Sequence, residues 1–529
     1  MAVFQRALLI SGFMASGKTT VGRLAAEWSG RPYVDLDQEV ERDAGRSVTE
    51  IFAEHGEPGF RRLEREALRR VLASRPPPVV SVGGGALLHR PTRLDALDRA
   101  IVVTLEASLD ETLRRAAASN ARPLLDVPDP RGRAAELLAE RRLAYAECHA
   151  RVQTTDRSPE DVARDVLAVL ARDPIAVAAG DRSYAVEVGS KFAVERLPGL
   201  LSGASMGLLV TDQNVHRFHG DGVENGMEQG GLKTATIVLE PGEEHKNVAS
   251  LERIWSAALA AAADRKSRFV ALGGGVVSDV AGFAAATWMR GVPWLCLPTT
   301  LLSMVDASVG GKTAIDLRNA KNAVGAFFQP SAVLCDVSYL STEPARGYLS
   351  ALSEVVKTAL IGDPDLLSLV ESAAPAIRER STDVVDEIVR RSVRVKARVV
   401  GQDEREDGLR ACLNLGHTVG HALEAYGGYG KLRHGEAISL GLVAALKIGE
   451  RLGLTQRSLV ERCTLLLRVL GLPVELGSQP LERAADLIGH DKKRAGSRLK
   501  FVAARAPGQV ELVEIPVDEL RRHVVALSG

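Results

Sequence analysis

The segment Gly12-Phe-Met-Ala-Ser-Gly17-Lys18-Thr19 follows an apolar run at 7–10 and precedes a helix-forming run at 20–28. A strand that empties into G-x-x-x-x-G-K-[ST] and then a helix points to a parallel α/β sheet with a phosphate-binding turn at one strand end. The glycines let backbone N–H groups of Ala15, Ser16, Gly17 and Thr20 wrap a phosphate chain, and the helix N-terminus adds partial positive charge. Lys18 reaches the β/γ-phosphates and Thr19 coordinates Mg²⁺. The chain has 53 Arg against 14 Lys, and residues 1–172 hold 25 Arg and Lys18 alone, so this lysine marks a place that calls for a compact ammonium. A signal peptide (Arg6 followed by apolar runs at 7–10 and 13–15) and a chance glycine turn are the alternatives. The lone lysine favours the phosphate loop.

A phosphate loop gives nucleotide binding but not the reaction, and the chain exceeds one domain. Its 529 residues imply two to four domains at about 150 residues each. Basic and acidic residues balance at 67 each, which argues against a charge-driven nucleic-acid or membrane-surface binder. No apolar stretch reaches the ~18 residues of a membrane span. Five widely spaced cysteines (Cys148, Cys296, Cys335, Cys412, Cys463) fit reduced cytoplasmic thiols, not disulfides or a thiolate zinc site.

An acceptor site is written downstream. Asp35-Leu-Asp37 ends the next apolar segment, where a carboxylate can hold metal-bound water or take a hydroxyl proton; alone, the pair is also an ordinary loop. Ser47-x-x-Glu50 opens a helix with a capping box, and Phe60-Arg61-Arg62-Leu63-Glu64 sits on the following helix. A buried strand at 79–82 ends in Gly83-Gly84-Gly85. Arg122 precedes a polar stretch that reads as a mobile lid, and Arg141 stands four residues before Tyr145 on the next helix. In this order the motifs resemble shikimate kinase over residues 5–172. The resemblance implies that Lys18 and Thr19 serve ATP and Mg²⁺ and that Asp35 supports the metal through water. Asp37 would bind shikimate hydroxyls and act as base. Arg61 and Arg141 would hold the carboxylate with Gly84 against the ring, Arg122 would contact ATP phosphates, and Arg157 would flank the adenine.

A helix at 158–171 closes this unit, and 173–183 reads as a short linker before an alternating strand at Tyr184. Strands and turns then alternate. A strand from 208 runs into Asp212-Gln-Asn214; Pro241-Gly242-Glu243-Glu244-His245-Lys246 follows another. The strand at 269–272 runs into Gly273-Gly-Gly275 with Asp279 nearby, a phosphate-binding turn. The strand at 295–298 leads to Thr299-Thr300, Asp306, Lys312 and Lys321-Asn322, while 219–231 reads as a flexible loop. After about 340 the strands stop and helical periodicity takes over. There His417 and His421 share one helix face at i, i+4, with Glu424 and His434-Gly-Glu436 close behind. A catalytic zinc commonly takes three protein ligands such as His₂Glu, and the spacing leaves Glu424, Glu436 or a distant Glu as the third.

Together with Ser353-Glu354-Val-Val-Lys357, residues 403–408, Arg410, Asn414 and Asp491-Lys492-Lys493, these segments resemble 3-dehydroquinate synthase over residues 180–505. The resemblance implies Zn²⁺ or Co²⁺ on Glu354, His417 and His434. It implies NAD⁺ held by Asp212 and Asn214, by Gly242, Glu243, Glu244, His245 and Lys246, and by Gly275, Val276, Val277, Ser278 and Asp279. Thr299, Thr300, Lys312, Lys321, Tyr339, Leu340, Ser341 and Thr342 complete that set. Substrate would meet Arg290, Asp306, Lys312, Asn322, Lys357, Lys396, Arg410, Asn414, His421 and the Lys492/Lys493 pair. Ser278, Ala351 and Trp288 stand where the family usually has Gly, Gly and Tyr; none removes a chemical group.

The implied fold is α/β: a P-loop, NMP-kinase-like parallel-sheet domain at 1–172, a linker at 173–183, an α/β NAD-binding subdomain at 184–340 and a helical metal- and substrate-binding subdomain at 341–529. The implied function is a bifunctional cytoplasmic enzyme of aromatic amino acid (chorismate) biosynthesis. It would phosphorylate shikimate with ATP and turn 3-deoxy-D-arabino-heptulosonate 7-phosphate into 3-dehydroquinate. On that resemblance the latter would run through zinc polarisation of an alcohol, hydride transfer to NAD⁺, phosphate elimination, hydride return and an internal aldol closure. Partners would be small molecules and, through the synthase half, a second copy of the chain. Another sugar-phosphate cyclase or a glycerol-dehydrogenase-like enzyme is the alternative for the second half; Arg410, a cation suited to a substrate carboxylate, argues against it. An inactive scaffold could have lost Lys18, Asp37, His417 or His434, and all four are present.

Overall fold

The computed structural model describes residues 6–117, 127–318, 320–427, 431–488 and 498–528. It divides into two compact units, Met1–Glu187 and Val188–Gly529.

The first unit is built on β1 (Ala7–Gly12), β2 (Tyr33–Asp35), β3 (Val79–Ser81), β4 (Ala100–Glu106) and β5 (Ala150–Gln153), all parallel in the order β2-β3-β1-β4-β5. Leu8, Leu9 and Ile10 are fully buried, as a central strand covered by helices on both faces requires. Alternation sends Leu9 toward Phe60 and Leu68 of helix Val48–Ala73, and Leu8 and Ile10 toward Val21 and Val166 of helices Lys18–Ser29 and Pro159–Arg172. The C-terminal ends of β1, β2 and β3 deliver Gly12, Asp35 and Gly83 to one rim. Such strand-end crevices are where open parallel sheets bind ligands.

The segment expected as a linker is itself folded, carrying a strand and bonding back to Arg6 and Glu147. β6 (Ile175–Val177) pairs antiparallel with β7 (Tyr184–Gly189). Arg6 donates twice to Asp173 (2.8 and 2.6 Å), and the Gly180 amide donates to Glu147 (3.2 Å). Ile175 and Val177 are too short an apolar pattern to announce a strand, yet both are buried.

The second unit carries β8 (Gly207–Asp212), β9 (Thr234–Leu239), β10 (Arg268–Gly273), β11 (Trp294–Pro298), the antiparallel hairpin β12 (Lys312–Leu317) and β13 (Ala320–Phe327), and β14 (Ala332–Asp336). Its parallel strands run in the order β14-β11-β10-β8-β9. Their C-terminal ends lead into Asp212, Gly242, Gly275, Thr299 and Tyr339, so residues scattered over more than a hundred positions share one rim. The stretch 219–231 is not a loop: Asp221–Gln229 is a helix whose Val223 and Met227 are fully buried. Two apolar residues one turn apart, set among Gly, Asp and Glu, hid that periodicity.

Beyond 340, helices Ala345–Gly362, Thr382–Gln402, His417–Tyr426 and His434–Arg451 dominate as expected. Strands do return, however, as the antiparallel pair β15 (Arg498–Ala506) and β16 (Gln509–Pro516). The buried residues of β15 are a continuous run, Phe501–Ala504, so the alternation that signals a half-exposed strand is missing. No helix among the described residues is long and apolar enough to cross a membrane. All five cysteines are buried and free.

Candidate active sites

In the first unit, Gly12 (φ 140°), Ala15 (φ 58°) and Gly17 (φ 96°) wrap the turn ahead of helix Lys18–Ser29. A side chain at Gly12 would lie 2.4 Å from the Leu105 carbonyl, so the turn requires glycine there. The Lys18 ammonium donates to the carbonyls of Gly12 (3.1 Å) and Phe13 (2.9 Å), poised over the loop it would share with phosphate. Ser16 Oγ is buried without a partner among the described residues. A cavity of about 360 Å³ beside the loop is lined by Ser16, Gly17, Thr20, Arg115 and Arg157, so Arg157 lies where a nucleotide base could reach it.

The triple glycine organises the acceptor side. Ideal Cβ positions on Gly83, Gly84 and Gly85 meet Asp37 Oδ1 (3.1 Å), Arg141 Nη1 (3.3 Å) and the Arg61 guanidinium (2.2 Å), respectively. Asp37, Arg61, Gly84 and Arg141 therefore converge as the motif order implied. Two partners had no assigned role. Glu64, 1% exposed, accepts from Arg61 (2.7 Å), and Tyr145 donates to the Gly84 carbonyl (2.7 Å). Burial, then the charge of Asp35, push the Asp37 carboxyl above its ordinary range against the pull of Lys18 and Arg61. Asp35 caps the helix that carries Asp37, accepting from the Asp37 amide (3.2 Å). Thr19 is exposed at the helix start. Arg122 lies outside the described residues.

In the second unit, helix Gly275–Thr287 starts at the end of β10 with its free amides facing the rim. Thr299 Oγ1 is buried and unpartnered among the described residues. Ser278, the departure from the expected glycine, turns its hydroxyl back to the Gly275 carbonyl (3.0 Å). Lys246, buried, joins Asp279 (2.6 Å) to Asn322 (2.5 Å), and burial lifts Asp279 to about 6 despite that lysine. Asp212 caps the turn at Asn214 and Val215 (2.9 and 3.0 Å). Glu243 and Glu244 are exposed, and His245 half-buried, in the turn that follows β9. Tyr339 to Thr342 follow β14, with Thr342 bonded to His219 (2.7 Å).

The helical side supplies the cations. Lys396, buried, pairs with Asp306 (2.7 Å). Burial lowers that lysine to about 8, while Lys396 and Lys357 hold Asp306 near 2 against its own burial. Glu406, part of a matched segment but given no role, binds both Lys312 and Asn414 Nδ2 (the latter at 2.9 Å). Arg410 is 2% exposed and donates to the Glu404 and Gly310 carbonyls. Arg290 sits exposed in a left-handed turn (φ 70°). Lys492 and Lys493 lie outside the described residues.

Glu354, His417 and His434 present ligand atoms within 4.8 Å of one another. Both histidine Nε2 atoms lie 3.6 Å from Glu354 Oε1, close to the ~3.4 Å edge of a tetrahedron with ~2.05 Å bonds. His417 Nδ1 faces the Leu415 carbonyl (3.2 Å) and His434 Nδ1 faces Glu424 (3.2 Å), so each ring offers Nε2 to the centre. Burial and Lys357 drop His417 to about 3, leaving a neutral imidazole. Glu354 is fully buried; burial would raise its carboxyl, but Lys357 at 2.5 Å and the two histidines hold it well below the usual range. The donor set fits a divalent zinc-like ion. Of the sequence alternatives, Glu436 is occupied by Arg346 (2.7 Å) and Glu424 stands behind His434. His421 completes the face, its ring 4.9 Å from that of His417. Gly435 packs so closely on the Glu354 helix that a Cβ there would lie 1.9 Å from the Ser350 carbonyl. Gly435→Ala is therefore expected to cost about 1–3 kcal/mol and weaken metal binding, measurable by thermal unfolding and zinc titration; unchanged values would show that the helix pair yields freely.

The fold defines two enzyme units in one chain, a kinase and then a cyclase. Family models match in that order: shikimate kinase over residues 14–171, 3-dehydroquinate synthase N-terminal over 236–350 and 3-dehydroquinate synthase C-terminal over 351–494. The 3-dehydroquinate synthase of Citrifermentans bemidjiense is 41% identical over 341 residues, 64% of this chain and 93% of its own length. The 2-epi-5-epi-valiolone synthase ValA of Streptomyces hygroscopicus subsp. jinggangensis, solved with NAD⁺ and Zn²⁺ bound, is 26% identical with TM-score 0.59 over 65% of this chain and 96% of its own. A 2-deoxy-scyllo-inosose synthase complexed with carbaglucose-6-phosphate, NAD⁺ and Co²⁺ shares the fold at 24% identity and TM-score 0.61, over 66% of this chain and 99% of its own. The chain belongs to the 3-dehydroquinate synthase family and carries a shikimate kinase unit ahead of it. It is a bifunctional enzyme of aromatic biosynthesis.

Proposed function

We propose that the first unit transfers the γ-phosphoryl group of Mg-ATP to the 3-hydroxyl of shikimate. The second unit converts 3-deoxy-D-arabino-heptulosonate 7-phosphate to 3-dehydroquinate and phosphate. The observation that carries this reading is the completeness of both residue sets: Asp37, Arg61 and Arg141 around the triple glycine, and Glu354, His417 and His434 beside Lys357. The test is product identification by mass spectrometry after incubating the purified chain with shikimate plus Mg-ATP and, separately, with the heptulosonate phosphate plus NAD⁺ and Zn²⁺. Absence of shikimate 3-phosphate or of 3-dehydroquinate would remove that half.

In the kinase, two guanidiniums suit a carboxylate at one end of the substrate and Asp37 takes the hydroxyl proton at the other. Thr19 and Asp35 serve Mg²⁺, and Lys18 and Arg122 the phosphates. If Asp37 is the base, kcat/KM rises with pH through its elevated pKa. Asp35→Asn removes a like charge, lowers that pKa and moves the acid limb to lower pH. A pH–rate profile checks this; a limb that stays in place or moves up would exclude Asp37 as the titrating base.

In the synthase, zinc or cobalt would polarise a substrate alcohol and NAD⁺ would accept and return its hydride. The NAD-binding rim is proposed for 184–340 and the metal and substrate side for 341–529. Lys357, Lys396, Lys312 and Arg410 surround the substrate with positive charge, which stabilises a departing phosphate and holds a carboxylate. The unpaired thiols fit a cytoplasmic location. The exposed apolar side chains Leu317, Val324 and Phe327 on the β12–β13 hairpin support a homodimer through this unit.

A further inference from the structure

Glu424 is 7% exposed and uses its two oxygens in different directions. Oε2 lies 3.2 Å from His434 Nδ1, the ring nitrogen turned away from Glu354, and Oε1 accepts from Lys321 Nζ at 3.0 Å. Helix spacing explains the first contact: His417, His421 and Glu424 fall at i, i+4 and i+7 on one face of helix His417–Tyr426, which meets the start of helix His434–Arg451. The second contact leaves the helical side altogether. Lys321 belongs to β13, and its ammonium also lies 3.6 Å from Glu243 in the turn that follows β9. One buried carboxylate thus joins a residue of the metal set to the rim of the parallel sheet.

The geometry points to Glu424 as a positioning residue that couples metal binding to dinucleotide binding. This rests on the metal and NAD⁺ sites proposed above. A carboxylate on the far nitrogen of a metal-bound imidazole fixes its tautomer and orientation. The same carboxylate orients Lys321 beside Glu243, so a metal that orders His434 also orders a cation on the nucleotide rim. Coupling of this kind must be reciprocal: NAD⁺ tightens the metal by the factor by which the metal tightens NAD⁺. Domain contacts shared by every variant would not distinguish Glu424; its two-sided bond does.

The test measures NAD⁺ dissociation constants by calorimetry on the full-length chain, metal-free and Zn²⁺-loaded, with zinc content verified. In the wild type, zinc is expected to tighten NAD⁺ about tenfold. Glu424→Gln, which keeps the shape but removes the charge held by Lys321, should reduce that factor to below about twofold, with zinc affinity falling by about 10–100-fold. Lys321→Ala should lose the coupling while zinc affinity without NAD⁺ stays at the wild-type value, and it decides the matter if Glu424→Gln does not fold. A purely structural Glu424 would lower zinc affinity yet leave the coupling intact in both variants, and that result overturns the inference. So would a wild-type chain that binds both ligands without coupling. A wild-type chain that binds no zinc through His417 would instead remove the metal site itself.

Discussion

Replacing Lys18 by alanine is expected to lower ATP-dependent phosphorylation of shikimate by at least about 10²–10³-fold and to leave phosphate release from the heptulosonate phosphate unchanged. Lys18 is held over the loop by the Gly12 and Phe13 carbonyls, so its loss removes a cation already placed for phosphate and disturbs no buried packing. It belongs to the unit Met1–Glu187, whereas the Glu354, His417 and His434 set belongs to Val188–Gly529. Mutations that share no partners act nearly independently. An ADP-release assay and a free-phosphate assay on the same preparation decide it; loss of both activities in folded protein would contradict separate sites.

His417→Ala should do the reverse, cutting synthase turnover by at least about 100-fold while the kinase is untouched. The ring presents Nε2 to Glu354 from the start of its helix, whereas His421, one helical turn on, groups with Glu424 and His434. The same site predicts different metal rescue. A chelator should stop both reactions. Mg²⁺ alone should restore the kinase, whose site offers oxygen ligands. Only Zn²⁺ or a similar ion should restore the synthase, since imidazole disfavours Mg²⁺. Full synthase recovery with Mg²⁺ alone, on verified metal-free protein, would count against Glu354, His417 and His434 as ligands.

What could be read from the sequence was what is local in the chain. The phosphate loop, the Ser47/Glu50 capping box and the His417/His421 pair are set by neighbours a turn or less away, and each forms as the spacing implies. Roles that arise only in three dimensions were hidden. Nothing in the spacing separates Glu354 from Glu424 or Glu436; helix packing does, by burying Glu354 between two imidazoles and giving Glu436 to Arg346. Tyr145 and Glu406 act by meeting Gly84 and Lys312 across separate elements, and Glu64, one turn from Arg61 on the same helix, takes its role from being buried against the triple glycine. The helix Asp221–Gln229 and strands β6, β15 and β16 went unread for a different reason. Their apolar patterns are too short, too sparse or too continuous to declare a period, and tertiary burial decides them.

The most direct measurement follows both reactions in one purified wild-type preparation, with shikimate plus Mg-ATP and the heptulosonate phosphate plus NAD⁺ and Zn²⁺ supplied as separate sets and then together, and ADP and 3-dehydroquinate recorded separately. Two separate active sites predict that each rate in the mixture equals its rate alone. A mixture in which saturating heptulosonate phosphate competes with shikimate, or a preparation that shows one activity and never the other, would contradict two chemistries on one chain.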